Sequence, residues 1–267
     1  MMIKLKKLSR SLLSVIALTT ILLPTAHAQP LLDNGVLKVG IEAGYPPFEA
    51  FDLNGQIVGI DPDFAQQIAK QMNVRLELID TKFTSLILGL GKKYDMVISG
   101  MYITPARQQR TLAIPYMLSG ASIISWKEGQ HQPTNENELC GLTVGLQQGN
   151  AWNIDLAQHS VNYCQKQGLA PIKILEFPTV PEVSQALLSK NVDVQLEIDP
   201  AAQRIVKMSR GRLLISSTKL LYPLPMGIFV DKNNPQLASA IQDALTSMKN
   251  NGHYAAIMSK YRLASHP

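Results

Sequence analysis

The stretch DPDFAQQIAKQMNVRLELID, residues 61–80, passes from a helix pattern directly into a strand pattern. Asp61 is the predicted N-cap of the helix and Pro62 its first residue. Three apolar residues recur at the spacing of one helix face: Phe64, Ile68 and Met72. In residues 74–80 apolar and polar side chains alternate, which is typical of a strand. A helix that leads straight into a strand is the repeating unit of α/β proteins.

Strand and helix patterns alternate on both sides of this stretch. Residues 36–42 alternate as a strand before it, and a helix at 83–93 and a buried strand at 94–99 are predicted after it. Further on come strands at 141–147 and 192–198, helices at 181–190 and 200–208, an extended stretch at 213–230, and two closing helices, the first capped by Asn234 and Pro235. The sequence therefore predicts an α/β fold with largely parallel sheets in two lobes, with a cleft between them.

The first 28 residues form a separate segment. An apolar run at 11–23 ends before an A-x-A site at 26–28, and it follows four basic residues, Lys4, Lys6, Lys7 and Arg10. This order is typical of a cleaved secretory signal peptide, so we expect an exported protein whose mature chain begins at Gln29. The alternative is an uncleaved membrane anchor, although the apolar run is short for a bilayer.

The charge balance argues against a nucleic-acid partner. The whole chain has 25 Lys and Arg residues against 20 Asp and Glu, a net charge of +5. Four of the basic residues lie in the leader, which leaves the mature chain with 21 basic against 20 acidic residues, a net charge of +1. No basic stripe remains, and we expect no binding to nucleic acid.

Cys140 and Cys164 are the two cysteines of the chain. In an exported protein, two cysteines at this separation predict a disulfide. The alternative is a pair of free, buried thiols.

Residues 98–110, ISGMYITPARQQR, combine features of an anion-binding site. A turn at 99–100 is followed by Thr104 as the predicted N-cap, Pro105 as the first helical residue and Arg107 in the first turn. Free N–H groups at a helix start and a guanidinium fork both favour a carboxylate. The alternative is a surface arginine on an ordinary capped helix.

Two other stretches hold candidate ligand contacts. Tyr45 and Phe48 flank a double proline at the end of the first strand, where aromatic rings can form an apolar wall. Asn150 follows a glycine turn after the first strand of the second lobe and could form the opposite side. The alternative for the aromatic pair is plain core packing. The alternative for Asn150 is a routine strand-to-helix connection.

Motifs of known catalytic or metal chemistry are missing from the sequence. It contains neither G-x-S-x-G nor H-E-x-x-H. The histidines at 131, 159, 253 and 266 lack the spacing of metal ligands. We therefore expect no metal site and no cofactor.

Four stretches together resemble one family. They are YPPFEAFDLNGQIVGIDPDFA (45–65), DMVISGMYITPAR (95–107), LTVGLQQGNAW (142–152) and the C-terminal segment at 226–261. In this order they resemble the polar amino-acid-binding family of bacterial periplasmic solute receptors, the substrate-capturing subunits of ABC importers. The resemblance covers nearly the whole mature chain. It is specific for the family and much weaker for the ligand.

The resemblance implies a type II periplasmic binding protein fold, in which two lobes close on a ligand by hinge motion. Residues 29–120 and 222–267 would form the first lobe, and residues 121–221 an inserted second lobe. The implied protein is a monomeric periplasmic receptor and not an enzyme. It would deliver an amino acid or small carboxylate to a membrane permease.

The resemblance also assigns residues to the ligand. Arg107 would take the α-carboxylate, helped by Ser99, Gly100 and Met101. Tyr45 and Phe83 would pack on the ligand, and Glu42 matches a family acid that can face a ligand amine. From the second lobe, the implied contacts are Gln148, Gly149 and Asn150.

Two departures from the family pattern affect the ligand. Tyr102 stands where the family usually has a small hydroxyl residue. Ile198 stands where the family has its amine-binding Asp, with Glu197 and Asp199 on either side. A bulge in the strand could return Asp199 to the site. Without an amine partner, the ligand would be a modified amino acid or an anion without that amine, because an unpaired buried ammonium costs several kcal/mol.

Periplasmic dehydratases that act on prephenate-like acids resemble the same receptors. In that alternative, Glu197 or Glu42 would act as a general acid in the closed cleft. A third possibility is a sensor module that passes its signal to a separate membrane protein.

Overall fold

The computed structural model describes residues 32–263. The predicted signal peptide and the predicted start at Gln29 lie outside these residues. Up to the first long strand, the elements are β1 Val36–Ile41, β2 Ala50–Phe51, β3 Ile57–Val58, α1 Ile60–Gln71, β4 Arg75–Asp80, α2 Leu86–Gly89, β5 Met96–Val97, α3 Pro105–Gln108 and β6 Thr111–Trp126. They are followed by β7 Thr143–Gln147, α4 Asn153–His159, β8 Lys173–Phe177, α5 Val180–Leu188, β9 Val194–Ile198, α6 Asp199–Met208, β10 Leu213–Ile215, β11 Leu221–Asp231, α7 Pro235–Asn250 and α8 His253–Lys260. Every helix in this range is too short or too polar to cross a bilayer.

The strands form two parallel groups joined by two long antiparallel strands. In the first lobe, β4, β1 and β5 pair in parallel. In the second lobe, β8, β7 and β9 do the same. The order across the main sheet is β4-β1-β5-β11-β6-β9-β7-β8, with β10 on β6. The predicted α/β fold with largely parallel sheets is confirmed, and the crossing strands supply the antiparallel pairs.

The long strand β6 gains a new partner where the lobes meet. Residues Thr111 to Ala121 of β6 pair with β11, and from Ala121 onward β6 pairs with β9. Ala121 faces Leu221 on one side and Ile198 on the other. Both chain crossings between the lobes therefore run through neighbouring extended strands, which is the geometry of a two-strand hinge.

Helix α1 covers one side of the first lobe. Phe64 and Ile68 are fully buried against α7 and α8, as the helix pattern predicts. The predicted cap at Asp61 is wrong, because the N-cap is Gly59 and Asp61 lies inside the first turn. The Asp61 side chain is fully buried and accepts two hydrogen bonds from other elements instead.

The segment after β4 is more broken than its sequence predicts. The helix predicted at 83–93 is a short 3₁₀ turn, Phe83–Ser85, followed by α2, which has four residues. Helix α2 ends beside Tyr94. The Tyr94 ring packs against Gly89, and its hydroxyl donates to Leu86 O at 2.7 Å. The strand predicted at 94–99 is likewise reduced to the two residues of β5.

A disulfide ties down the second lobe. Cys140 and Cys164 are bonded, with Cα atoms 5.5 Å apart, which confirms the predicted pair. The bond connects the end of the 3₁₀ turn Glu136–Leu139 to the π-helical turn Ser160–Gln165 that continues α4. Free thiols, the alternative, are therefore excluded for both cysteines.

Candidate ligand-binding cleft

Parallel strands from both lobes end at the cleft. In the first lobe, β1 is followed by Glu42 and β5 by the turn at 99–100. In the second lobe, β7 ends at Gln147, and β9 ends one residue after Glu197. The carboxyl ends of parallel strands share one edge of a sheet, which is where ligands bind in α/β proteins. These polar side chains of the two lobes therefore meet across one cleft.

A cavity of about 20 Å³ lies where the strand ends meet. Both lobes line it, with Tyr45, Phe83, Gly100, Tyr102 and Arg107 from the first lobe and Gln147, Asn150, Ala151, Glu197 and Ile198 from the second. This volume holds about one water molecule. A bound amino acid therefore needs a wider cavity than this one.

Arg107 supplies the positive charge of this cavity. Thr104 caps α3 through the Arg107 N–H, at 3.3 Å, which confirms the predicted N-cap. The guanidinium donates to the backbone oxygens of Tyr102, at 2.6 Å, and Gly149, at 2.9 Å. Its carbon lies 5.5 Å from the centre of the Phe83 ring. Burial lowers the pKa of Arg107 to about 10, so the group stays charged at neutral pH.

Glu197 supplies a negative charge from the opposite lobe. Its carboxyl group is buried, with 3% of the residue exposed. Oε1 accepts the Tyr45 hydroxyl at 2.6 Å, and Oε2 accepts the Gln195 amide at 3.2 Å. Burial raises the pKa of Glu197 to about 7, although the Tyr45 hydrogen bond opposes the shift. The carboxyl group is thus poised to ionise when a cation enters the cleft.

Glu42 bridges the lobes at a second point. Oε1 accepts the Phe83 N–H at 3.1 Å, and Oε2 accepts the Gln147 amide at 2.7 Å. Burial raises the pKa of Glu42, and the hydrogen bonds from Gln147 and Phe83 oppose that rise. Neither Glu42 nor Glu197 forms an ion pair with a residue in the 32–263 range. Each therefore has room for a cationic partner.

The turn at 99–100 uses its donors inside the first lobe. The Gly100 N–H donates to Asp61 Oδ2 at 2.6 Å, and the Ser99 hydroxyl donates to Glu49 Oε1 at 2.8 Å. Ser99 Oγ also accepts the Glu42 N–H at 3.0 Å. The assistance of Ser99 and Gly100 to a ligand carboxylate stays a prediction, and in this structure both donors serve acids. Since α3 has only four residues, Arg107 is the stronger candidate for binding an anion.

Six of the residues expected at the ligand do not line the cavity, namely Glu42, Ser99, Gly149 and the three described next. Met101 is buried among the apolar side chains of Val97 and Phe229. Gln148 is exposed, and its N–H donates to Phe177 O. Asp199 faces away from the cavity, where its carboxylate accepts Ser122 and Gln203. No bulge returns Asp199 to the cleft.

Four further residues line the cavity: Gln147, Ala151, Glu197, which the sequence suggested only as a general acid, and Ile198. Gln147 and Glu197 lie at or next to the carboxyl end of a parallel strand. That position is itself the signal by which they could have been found. Ile198, at the position of the family's acid, does face the cavity, so its apolar side chain borders the ligand space.

Two further features lie near the cleft. A groove of about 700 Å³ between the lobes shares Arg107, Asn150 and Ala151 with the small cavity. Within residues 32–263, one cluster has the composition of a metal site, namely Cys140, His159 and Cys164. Its two sulfur atoms are bonded to each other, so they are not free to act as ligands.

Comparisons with known proteins fit this architecture. The model of the bacterial extracellular solute-binding proteins, family 3, matches residues 37–264. The L-cystine-binding protein TcyJ of Escherichia coli (strain K12) is 26% identical, over 86% of this chain and 83% of its own length. The ABC transporter arginine-binding protein 1 of the same strain is 28% identical, over 84% of this chain and 90% of its own.

A solved structure gives the same overall match. It is the ancestral amino acid-binding protein AncCDT-1, a precursor of cyclohexadienyl dehydratase. Its TM-score is 0.73 at 28% identity, covering 85% of this chain and 95% of that one. The family match spans both lobes and the cleft between them. The chain is a member of the bacterial extracellular solute-binding proteins, family 3.

Proposed function

We propose that this chain is the substrate-binding subunit of an ABC importer, and that it captures an amino acid by closing its lobes. One observation carries the proposal. A guanidinium from one lobe, Arg107, and a buried carboxyl group from the other, Glu197, line the same cavity without pairing with each other. An α-amino acid carries the two complementary charges. Its carboxylate and ammonium would satisfy both groups at once.

Arg107 takes the ligand carboxylate in this proposal. Its two hydrogen bonds to carbonyl oxygens hold the fork at the cavity wall. A carboxylate would replace at least the contact with Gly149, since charge-assisted bidentate pairs are stronger than bonds to neutral acceptors. Phe83 supports the opposite face of the guanidinium. The ligand would then lie against Tyr45, Tyr102 and Asn150.

Glu197 takes the ligand ammonium in place of the family's amine-binding Asp, whose position Ile198 occupies here. The Tyr45 hydroxyl holds its carboxyl group at the cavity. A second acid, Glu42, lines the route between the lobes. With one cation and two acids, the cleft favours a ligand with one carboxylate and two positive groups, as in a basic amino acid. The relatives named above include an arginine-binding protein.

Lobe closure follows from the geometry of the crossing strands. We place the lobe boundaries at 120/121 and 221/222, supported by the change of strand partners at Ala121. Three hydrogen bonds cross the cleft, from Tyr45 to Glu197, from Arg107 to Gly149 and from Gln147 to Glu42. Opening must break them, and a bound ligand would offer these groups new partners.

The remaining parts of the proposal concern the setting of the protein. Export through the predicted signal peptide would deliver a periplasmic monomer. A membrane permease would receive the closed, loaded form. We propose no binding to nucleic acid, no cofactor and no catalytic turnover.

A thermal-shift screen tests the function. Residues 29–267 would be heated with the common amino acids, cystine, small carboxylic acids and prephenate. A ligand that binds the folded state raises the melting temperature, by about RT ln(1 + [L]/Kd) in free energy. A shift with a basic amino acid, absent in an Arg107→Ala variant, supports the proposal. Shifts confined to acids without an amine would contradict it.

One observation favours dehydratase activity as a second candidate. Glu197 is an enclosed acid whose pKa of about 7 suits a general acid at neutral pH. Prephenate would be incubated with the protein and its loss followed by ultraviolet absorbance. Turnover that disappears in Glu197→Gln supports the enzyme, and the absence of turnover in the parent protein removes it.

A further inference from the structure

Two acids lie fully buried behind the cleft. Glu49 follows the loop that carries Tyr45, and Asp61 lies in the first turn of α1. Neither residue has any exposed surface. Both are in the first lobe and outside the cleft cavity. The proposed ligand contacts do not use them.

Both carboxylate oxygens of Asp61 accept a hydrogen bond. Oδ2 accepts the Gly100 N–H at 2.6 Å, and Oδ1 accepts the Tyr116 hydroxyl at 2.7 Å. Two charge-assisted hydrogen bonds of this kind favour the ionised form. Asp61 therefore holds the backbone of the turn at 99–100 through its negative charge.

Glu49 is bonded differently at its two oxygen atoms. Oε1 accepts the Ser99 hydroxyl at 2.8 Å. Oε2 is buried, and no donor reaches it from the described residues. Glu49 and Asp61 hold the neighbouring residues Ser99 and Gly100, so their side chains converge on one turn. A buried oxygen without a donor is satisfied if it carries a proton and donates it to the other carboxylate.

No cation compensates the pair. The titratable groups that face it are Glu42 at the end of β1, Tyr45 in the following loop and Tyr116 on β6. The ion pair found in residues 32–263 is Lys260–Asp63, which involves neither acid. Two adjacent carboxylates without a cation, in a water-free site, cannot both be ionised at moderate cost.

We propose that Glu49 and Asp61 share one proton, and that this proton holds the turn at 99–100 in the position the cleft requires. The inference rests on the proposed function, because the turn matters only if the cleft binds a ligand. Gly100 packs directly on the Tyr45 ring, where a Cβ atom would lie 2.8 Å from ring carbon. Ser99 fixes the Glu42 backbone. The pair thus positions two of the three first-lobe groups that reach across the cleft, Tyr45 and Glu42.

The pH dependence has a definite sign. Burial raises the pKa of both acids, that of Asp61 to about 6 and that of Glu49 well above its usual range. Glu49, whose Oε2 no donor reaches, is therefore the acid that carries the shared proton. As the pH rises through the Glu49 pKa, a second negative charge forms beside Asp61 and repels it. The turn is then displaced, and ligand affinity falls on the alkaline side.

Infrared spectroscopy tests the shared proton without any ligand. The protonated-carboxyl band is followed from neutral to alkaline pH, and the part of it that Glu49→Gln removes reports the buried pair. We expect the band in the parent protein and in the control Glu77→Gln, an exposed acid of the same lobe. Glu49→Gln should lack that part of the band. A parent protein without the band, or a band that persists unchanged in Glu49→Gln, overturns the proposal.

Calorimetric titration tests the positioning role, with arginine as the probe. Glu49→Gln can still donate to Asp61 and accept Ser99, so it should bind at neutral pH, whereas Glu49→Ala should bind about tenfold more weakly. The ratio of parent to Glu49→Gln affinity should fall as the pH rises, because only the parent carries the titrating proton. Titration of the ligand amine cancels in this ratio.

The outcomes separate the two proposals. A ratio that stays constant with pH, or equal affinity of Glu49→Ala and the parent, overturns the positioning role. If arginine and the other amino acids fail to bind even the parent protein, the proposed function is wrong. In that case the infrared result still decides whether the proton is shared.

Discussion

The Tyr45 hydroxyl of the first lobe donates to Glu197 Oε1 of the second lobe at 2.6 Å. This bond joins the lobes through two side chains that line the cleft cavity. The Arg107–Gly149 and Gln147–Glu42 bonds do the same at two further points. Closure and ligand contact therefore depend on one set of groups. A ligand stabilises the closed form to the extent that its bonds improve on these three.

Arg107→Ala should abolish amino-acid binding and leave the fold intact. A ligand carboxylate in the closed cleft would lose its charged partner, which costs several kcal/mol, or at least about 100-fold in affinity. The guanidinium packs on Phe83 at the cavity wall, outside the main core, so the melting temperature should change little. Calorimetry measures the affinity, with the exposed Arg110→Ala as the matched control. An Arg107→Ala protein that binds like the parent would refute the carboxylate site.

Ligand affinity should rise with pH through the titration of Glu197. The pKa of this buried acid is about 7, so the cleft holds a proton below that value. A ligand ammonium favours the ionised form, and binding near about pH 6 should release a proton. Titration in two buffers of different ionisation enthalpy measures that release.

Glu197→Gln should bind more weakly at neutral pH and should release no proton.

The free energy of unfolding of the ligand-free protein has the opposite pH dependence. An acid with a raised pKa stabilises the folded state at low pH, and this contribution is lost between about pH 4.5 and about pH 7 as the unfolded chain ionises first. Equal proton release by the parent and Glu197→Gln would show that another group titrates.

Local patterns predicted most of the fold, because many of its elements depend on nearby residues. The helix face of α1 and the caps at Thr104 and Asn234 are confirmed. Asp61 was misassigned because tertiary hydrogen bonds from Gly100 and Tyr116 took its side chain away from the helix end. Such partners lie far away in sequence and leave no local signal.

The predicted ligand contacts and the residues that line the cavity differ at several positions by one or two residues. Gln147, rather than Gln148, contacts Glu42, and Glu197, rather than Asp199, lines the cavity. Successive residues of a strand point to opposite faces, so a shift of one residue changes which side chain enters the site. The residue at which a strand ends depends on pairing that the sequence alone does not fix.

Removing the disulfide should lower stability without changing the ligand. Cys140 and Cys164 close a loop with a sequence separation of 24 residues, which stabilises by roughly 3 kcal/mol in the chain-entropy model. The bond lies outside the cleft lining. The double variant Cys140→Ala/Cys164→Ala should melt several degrees lower and keep the ligand ranking of the parent. A changed ranking would mean that the bond shapes the cleft.

Gly100→Ala should weaken binding by displacing Tyr45. Gly100 has a φ of 52° and its Cβ would lie 2.8 Å from the Tyr45 ring, so the substitution is strained and the ring must move. The Tyr45–Glu197 bond is then lengthened or lost. Gly55→Ala is a fair control, because that glycine also has positive φ but open space at Cβ. Calorimetry should show a larger loss of affinity for Gly100→Ala than for Gly55→Ala, and equal losses would contradict the Tyr45 argument.

Glu42→Gln should reduce the preference of the cleft for a positively charged side chain. Arginine and citrulline have nearly the same shape, and citrulline lacks the charge. In the parent protein, a charge-assisted hydrogen bond from the ligand side chain to Glu42 should favour arginine by about 1–2 kcal/mol, roughly tenfold. Gln keeps a hydrogen-bonding side chain for Phe83 and Gln147 but carries no charge, so the arginine-to-citrulline ratio should approach one. Exposed Glu77→Gln should leave the ratio unchanged, which separates a local effect from net charge. If Glu42→Gln keeps the arginine-to-citrulline ratio of the parent, another acid causes the charge preference. If the parent binds citrulline as tightly as arginine, the cleft does not recognise the second positive charge of the ligand.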